Sequence, residues 1–194
     1  MRGLRHIGGA ESGFTLIEVL VTAVIIAVGL LGLAGLQAKM AATQMEAYQR
    51  AHALVLVEDM AARINSQRSD AKAGAYAASG TMTVVGLGDD FDPAQGCAQA
   101  DLTERDLCEW SRALKGAGTT DDSEAFLGAM IGARGCIERL PVDPATFRVS
   151  VAWQGLSDTV APSLTCGQGA DYGSAGRRRV LAVQLTLADL NRGP

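Results

Sequence analysis

The chain has 194 residues, of which 48% are hydrophobic, and its formal net charge is −4. This length allows one domain of ordinary size plus an extension. The acidic balance argues against a protein that holds nucleic acid on a basic surface, so we expect no direct nucleic-acid partner.

The first predicted element is an apolar helix over residues 14–36. This stretch contains only three polar side chains, those of Thr15, Glu18 and Thr22. At a rise of about 1.5 Å per residue it would span about 35 Å as a helix, enough to cross a bilayer. We therefore predict that residues 14–36 form a transmembrane or filament-core helix.

Residues 1–13 precede this helix and contain Arg2 and Arg5. A secretory signal would place its cleavage site at small residues after the apolar run, but here the run continues into helix-forming sequence. Positive charge beside a membrane segment holds that end in the cytoplasm. We expect a cytoplasmic leader, a single pass through a bacterial inner membrane and a head in the periplasm.

The letters GFTLIE at residues 13–18, followed by the apolar run, resemble the leader signal of type IV pilins and of type II secretion pseudopilins. The resemblance implies that a prepilin peptidase cuts between Gly13 and Phe14 and that the new amine of Phe14 is methylated. It also implies an inner-membrane assembly platform as a partner and incorporation into a pilus on the cell surface.

Glu18 is the acidic residue of the apolar run. A charged side chain at the centre of a membrane helix costs about 2.5–3.5 kcal/mol on insertion scales, so it marks a function by default. In a bundle of pilin helices, which the resemblance implies, its carboxylate would neutralise the N-terminal amine of a neighbour and fix the axial register. The alternative is an acid near the membrane interface that stays solvated or protonated.

Gly29, Gly32 and Gly35 fall at every third position late in the apolar run. Each costs a helix about 1 kcal/mol relative to alanine. They indicate either close packing between helices or a segment that can loosen, and the sequence leaves both open.

Residues 37–68 are predicted to form the amphipathic half of the same helix, which would reach about fifty residues. The apolar residues Val57, Met60, Ala61 and Ile64 follow the spacing of one helix face. His52 is the only histidine after the leader, and we expect it at the surface or in packing because no partner for catalysis lies nearby in the sequence.

Residues 69–194 are predicted to form the periplasmic head. Its first part, residues 69–96, reads as a connecting region that is partly ordered at best, with a β-prone stretch at residues 81–85. Asp89, Asp90 and Asp92 cluster here. We expect a solvated loop and no metal site, with calcium as the alternative, because the loop lacks the spacing of an EF-hand.

A short helix is predicted over residues 102–115, before Gly116. Thr103 and Asp106 can form a capping box at its start. Its apolar face comprises Leu107, Trp110 and Leu114.

The final third reads as strands near residues 135–140, 146–155 and 178–187, the last two with alternating apolar residues. We predict a small antiparallel sheet whose apolar side packs on the long helix, and so an α+β fold of the type IV pilin kind. The triplet Arg177, Arg178 and Arg179 would guard a loop and a strand edge, or would meet an acidic neighbour or a phosphate.

Four cysteines follow the apolar run, and none forms the CxxC pair of metal sites. An even number of cysteines in a region that we expect to be exported favours two disulfides. A Cys97–Cys108 bond would staple the incoming loop to the short helix. A Cys136–Cys166 bond would tie the first predicted strand to the loop before the last strand and contribute about 3–4 kcal/mol in the chain-entropy model.

No catalytic set and no phosphate-binding glycine loop occurs in the sequence, so we expect neither an enzyme nor a cofactor.

Features after Leu36 extend the resemblance to the PilV family of minor pilins, the type IV pilus modification proteins. They are the helix with Asp106, Leu107 and Trp110, the letters RVSVAWQG, and the arginine-rich last strand. The resemblance implies a subunit that helps to initiate pilus assembly in the inner membrane, contacts minor and major pilins through its N-terminal helix, and sits at the tip. The alternatives are a minor pseudopilin of a type II secretion system and a single-pass periplasmic binding protein outside any filament.

Overall fold

The structure, a computed structural model, describes residues 13–92, 94–117 and 130–188. The chain forms two compact units that divide after Gln44. Of the predicted leader, only Gly13 lies within the described residues.

Helix α1 covers Leu16–Ser66 and has 51 residues, which confirms the predicted long helix. It ends two residues before the predicted boundary. Near its end the hydroxyl of Ser66 donates to the carbonyl of Arg63 at 2.8 Å, a local bond that competes with the helical pattern. A second helix, α2, covers Arg68–Ala73 and ends at Gly74, whose φ of 96° favours glycine.

The head contains a four-stranded antiparallel sheet, one strand more than predicted. The additional strand forms within the region expected to be a connection, because the β-prone residues before Gly86 pair with the next strand along their whole length. The strands follow one another in the sheet in chain order: β1 Met82–Gly86, β2 Arg134–Leu140, β3 Thr146–Gln154 and β4 Arg178–Thr186.

The second half of α1 packs on one face of this sheet, as predicted. Its buried residues recur at helical spacing and join one apolar core with the inward side of β3. The fully buried members are Ala53, Val57, Met60 and Ile64 from α1 and Phe147, Val149 and Val151 from β3.

Helix α3 covers Leu102–Leu114, but its cap differs from the predicted one. The capping residue is Asp101, whose carboxylate accepts a hydrogen bond from the amide of Glu104 at 2.9 Å. Thr103 lies inside the helix and is buried, and Asp106 binds other side chains. The capping box of Thr103 and Asp106 is therefore wrong.

Trp110 connects α3 to both α1 and the sheet. Its indole Nε1 donates to the backbone carbonyl of Leu56 at 2.8 Å, and its side chain is fully buried. A Cβ atom at Gly135 in β2 would lie 2.7 Å from Cδ1 of Leu114 and closer still to the indole ring. The absence of a side chain at Gly135 makes room for Trp110.

The other face of the sheet is also covered. Cys136, Ala152, Cys166 and Tyr172 form a second buried cluster there. Alternation in the sequence indicated one apolar face for β3, yet Ser150 and Ala152 on its other face are buried too. The loop between β3 and β4 lies over them because the Cys136–Cys166 disulfide attaches it to β2.

Gly135→Ala is expected to lower the free energy of unfolding of the head by about 1–3 kcal/mol, because the new methyl group would press on Trp110 and Leu114. Gly96→Ala is the matched control, since a Cβ there meets nothing within 4 Å. Thermal or urea unfolding of the full chain in detergent measures both. Equal stability of the two variants would contradict the close fit at Gly135.

Candidate assembly segment

The candidate functional segment begins where α1 begins. The amide of Glu18 lies 3.1 Å from the carbonyl oxygen of Thr15 and 3.4 Å from its hydroxyl oxygen. Thr15 therefore caps the helix, and Thr and Glu three residues apart match the capping-box pattern. Glu18 also stands in the first turn, where the helix dipole favours a negative charge. This local role was available in the sequence and was missed.

The surface around Glu18 is apolar and uncovered. Every described residue from Gly13 to Gln44 is exposed, and Phe14, Leu16 and Leu31 expose 82%, 83% and 74% of their surface. Apolar surface of this extent marks contact with a membrane or with other proteins. The carboxylate of Glu18 is thus held on a surface that excludes water once it is covered.

Within the described residues, α1 is the helix that is long and apolar enough to cross a membrane. Within the described chain, none of its most apolar stretch is buried.

Packing within the described chain does not require glycine at these three positions of the apolar run. A Cβ built on Gly29, Gly32 or Gly35 meets no described atom within 4 Å. Their cost to the helix is therefore not offset by contacts that the described chain makes with itself. Close packing with another helix and local loosening both remain compatible with this geometry.

In the head, Arg63 of α1 lies at the centre of a half-buried ionic cluster. Its Nε is 3.0 Å from Asp59, and its Nη1 is 2.9 Å from Asp106 and 2.5 Å from Glu109. Burial lowers the pKa of Arg63, but the three carboxylates more than offset it and raise the pKa above its usual value. The cluster joins α1 to α3.

Tyr76 completes this cluster from the segment that follows α2. It is fully buried, and its hydroxyl donates to Oδ2 of Asp106 at 2.5 Å. Burial, together with the hydrogen bond and the charge of Asp106, raises the pKa of Tyr76 well above its usual value. The neutral phenol is the form that the fold favours.

The surroundings of Asp89 differ from the prediction of a solvated loop. Its carboxylate pairs with Lys115 and accepts from the amides of Gly86 at 2.7 Å and Phe91 at 3.1 Å. Burial raises its pKa, but the hydrogen bonds from Lys115 and Gly86 outweigh burial and hold the pKa below the usual range.

The nearby Asp92 accepts from the amide of Ala94 at 2.9 Å and from the side chain of Gln95 at 2.9 Å. Donors of the chain itself therefore bind the carboxylates of Asp89 and Asp92. In the part of the chain that the structure describes, no group of three or more His, Cys, Asp or Glu side chains is placed to hold a metal ion. This geometry offers no support for calcium here.

Arg178 is buried, so the prediction of three guarding charges is wrong for this residue. Its Nη1 donates to the carbonyls of Leu164 at 2.6 Å and Cys166 at 2.8 Å, and its Nη2 donates to that of Pro162 at 2.9 Å. Three carbonyl dipoles thus surround one cation. Arg178 holds the β3–β4 loop in place from the inside.

Arg179 and Arg177 also bind the chain instead of facing solvent alone. Arg179 donates to the carbonyls of Gly176 and Ser157, each at 2.7 Å, and lies 3.3 Å from Glu46 of α1. Arg177 lies 3.5 Å from Asp158. The acidic neighbour that the sequence left open is therefore present for both residues.

Both disulfides occur in the structure with the pairing given above. Cys97 is joined to Cys108, and Cys136 to Cys166, each with a Cα–Cα distance of 5.8 Å. The first attaches the loop before α3 to that helix. The second attaches the β3–β4 loop to the middle of the sheet.

His52 is half-buried on α1, where its ring stacks on Tyr48 with 6.3 Å between ring centroids. This placement agrees with the prediction that His52 lies at the surface or in packing.

The sequence did not reveal the ionic cluster around Arg63 or the three carbonyl groups around Arg178. Arg63 meets its partners on α3 43 and 46 residues away, and Arg178 meets carbonyls that any residue could supply. Neither arrangement produces a recognisable motif in the amino-acid sequence.

Tyr76→Phe is expected to make stability less sensitive to alkaline pH. The pKa of Tyr76 is raised in the folded state, so its contribution is complete below about pH 10 and is lost as pH rises through the folded pKa. The variant should be less stable at neutral pH by about 1–3 kcal/mol, because Asp106 loses a donor. Its unfolding free energy should then fall less steeply above about pH 10.

Unfolding at a series of pH values measures this difference, with Tyr48→Phe as the control because Tyr48 is 63% exposed. Parallel pH curves for Tyr76→Phe and the unaltered chain would contradict the assignment.

The family model described as "Prokaryotic N-terminal methylation motif" matches residues 9–34. No curated protein and no solved structure matches the chain. The motif supports a type IV pilin-like protein and implies processing by a prepilin peptidase. Together with the long apolar helix, it indicates that the chain is anchored in a membrane.

Proposed function

We propose that the chain is a minor pilin of the PilV kind, which helps to initiate type IV pilus assembly with other minor pilins and is incorporated at the pilus tip. One observation carries the proposal. The methylation motif at residues 9–34 runs into a helix whose apolar surface is uncovered and which holds Glu18 in its first turn.

In this proposal the peptidase cuts after Gly13 and leaves Phe14 as the first residue, with a methylated amine. Glu18 then stands four residues from the new amine of its own chain, and the amine itself precedes the helix cap at Thr15. A neighbouring helix displaced along the axis brings the amine of one chain to the carboxylate of the other. The bare apolar surface allows such a helix to approach.

The electrostatic argument explains why this pair would set the register. A carboxylate left unpaired in a water-poor bundle is strongly unfavourable, by about 3–5 kcal/mol when one partner of a buried pair is missing. Sliding the helices by one turn, about 5.4 Å, would separate the charges. Subunits would therefore prefer the axial position in which the pair forms.

The head contributes a rigid body that suits the periplasm. Its two disulfides require an oxidising compartment, and the bacterial periplasm is one. The proposal assigns the head no enzymatic activity and no cofactor. Its partners are minor and major pilins, reached through α1, and the assembly platform of the inner membrane.

A minor pseudopilin of a type II secretion system is the second candidate, because the same N-terminal motif occurs in that class. Neighbouring genes would distinguish the two, since pilus genes favour the first and secretion genes the second. A single-pass binding protein outside any filament is the third. The methylation motif argues against it.

Coexpression with a prepilin peptidase is expected to shorten the chain to a form that begins with N-methylated Phe14, as read by mass spectrometry of the N-terminal peptide. Gly13→Arg should block the cut, because the proposed signal places glycine directly before the cleaved bond. Gly9→Ala, a change of glycine within the leader, is the control and should be processed normally. Retention of the leader by the unaltered chain would exclude both filament proposals.

Glu18→Ala and Glu18→Gln are expected to insert into the membrane normally and to recover far fewer partner pilins than the unaltered chain, because neither can neutralise an amine. Glu58→Ala is the control, since Glu58 is an exposed glutamate on the second half of α1. Membrane fractionation and co-purification measure the two effects. Equal recovery of partners by all four chains would contradict the register role.

A deletion strain is expected to show few surface pili, and disabling retraction in the same strain should restore them, because an initiating subunit changes the balance of assembly and retraction. Electron microscopy and sheared-pilus yields measure this. Normal piliation with defective protein secretion in the deletion strain would favour the pseudopilin instead.

A further inference from the structure

Within the described residues, the last strand, β4, leaves one edge of the sheet open. Outside the strands proper, Gly155 donates to the carbonyl of Arg177 and Leu187 donates to that of Ala145, each at 2.8 Å. In an antiparallel pair, hydrogen-bonded and non-hydrogen-bonded residue pairs alternate. The odd-numbered residues of β4 therefore bond to β3, and the backbone groups of its even-numbered residues point away from the sheet.

Four consecutive even positions, Val180, Ala182, Gln184 and Thr186, carry these outward N–H and C=O groups. Across residues 13–92, 94–117 and 130–188, none of these backbone groups has a hydrogen-bond partner. Unpaired groups in this alternating arrangement are the template on which another strand can add.

The opposite edge of the sheet is protected in a way that β4 is not. Strand β1 has five residues, and the outward amide of its last residue, Gly86, is taken by Asp89 at 2.7 Å. Residues 180–186 of β4 read VLAVQLT, without a charge, a proline or a bulge to discourage pairing. Of the two edges, β4 is the one open to addition.

The side chains of β4 show that the apolar face of the sheet continues beyond what the described residues cover. Leu181, Val183 and Leu185 face the core but are only half-buried. Their direct partners on β3 are completely buried: Val151, Val149 and Phe147. An additional strand beside β4 would bury the remaining apolar surface.

We propose that β4 accepts an extended segment of a neighbouring subunit as a fifth strand of the sheet. The segment is uncharged over about seven residues and alternates apolar side chains, which continue the face of Leu181 and Val183, with polar side chains beside Gln184. That the neighbour is another pilin-like subunit rests on the function proposed above.

The function proposed above places other membrane-anchored pilins beside this chain, so the neighbour in this proposal is a different subunit and not a second copy. One added strand buries far less than the roughly 1,200–2,000 Å² of a stable interface. The contact would therefore be weak between free heads. It becomes effective when a second attachment, such as neighbouring N-terminal helices, holds the two chains at high local concentration.

Hydrogen exchange tests the proposal on the full chain coexpressed with the other pilin-like subunits of its own genome. The complex is recovered through a tag on the partner subunit. Four more slowly exchanging amides, those of Val180, Ala182, Gln184 and Thr186, are expected in the complex than in the isolated chain. Residue-level fragmentation distinguishes them from the odd-numbered amides, which are already bonded to β3.

Two variants block the edge by different means. Ala182→Pro removes an outward N–H that the chain itself does not use, and Gln184→Lys places a charge beside the edge. Each should lower recovery of the complex by about fivefold or more. Val84→Lys on β1 is the matched control and should leave recovery unchanged, since Val84 is an exposed residue on the other edge strand. Gln184→Lys preserves the test if Ala182→Pro fails to fold.

A complex that forms without new protection in β4 would overturn this proposal and leave the proposed function intact. Failure to recover any complex with the unaltered chain would count against both. The same four protected amides in the isolated chain at high concentration would mean that a second copy occupies the edge, which also overturns the proposal.

Discussion

An acidic side chain in an apolar helix must find a positive partner or lose its charge. Glu18 stands in the first turn of α1, among side chains that the described chain leaves exposed. Thr15 caps the helix at this point, so Glu18 has a defined place in the first turn of α1. In the proposed filament, the amine created by cleavage supplies the partner, and the charge pair determines how neighbouring subunits align.

The second half of α1 packs on the sheet and forms a head with defined surfaces. Arg63 links α1 to α3, Trp110 fills the space over Gly135, and Arg178 fixes the β3–β4 loop from within. The described chain therefore covers both faces of the sheet, except for the half-buried apolar side chains of β4. Among the described residues, the apolar surface of the N-terminal helix and the edge of β4 remain uncovered, and both are suited to neighbours that supply the missing contacts.

Local patterns in the sequence predicted most of the fold. The apolar run predicted the long helix, and the alternation of apolar and other residues around Val149 predicted a buried strand. β1 was underestimated, because its five residues become a strand only when β2 supplies the partner. The capping residue of α3 was misplaced, because Thr103 and Asp101 both suit a cap and only packing decides between them. The roles of Arg63 and Arg178 depend on distant contacts, which no local pattern records.

The pairing of Glu18 with a neighbouring amine is the central claim, and zero-length carbodiimide coupling in membranes tests it directly. Coupling joins a carboxylate to an amine only when the two are in contact. The account predicts a cross-linked peptide in which Glu18 of this chain is joined to the N-terminal amine of a different pilin subunit. An assembled complex in which Glu18 stays uncoupled, or couples only within its own chain, would contradict it.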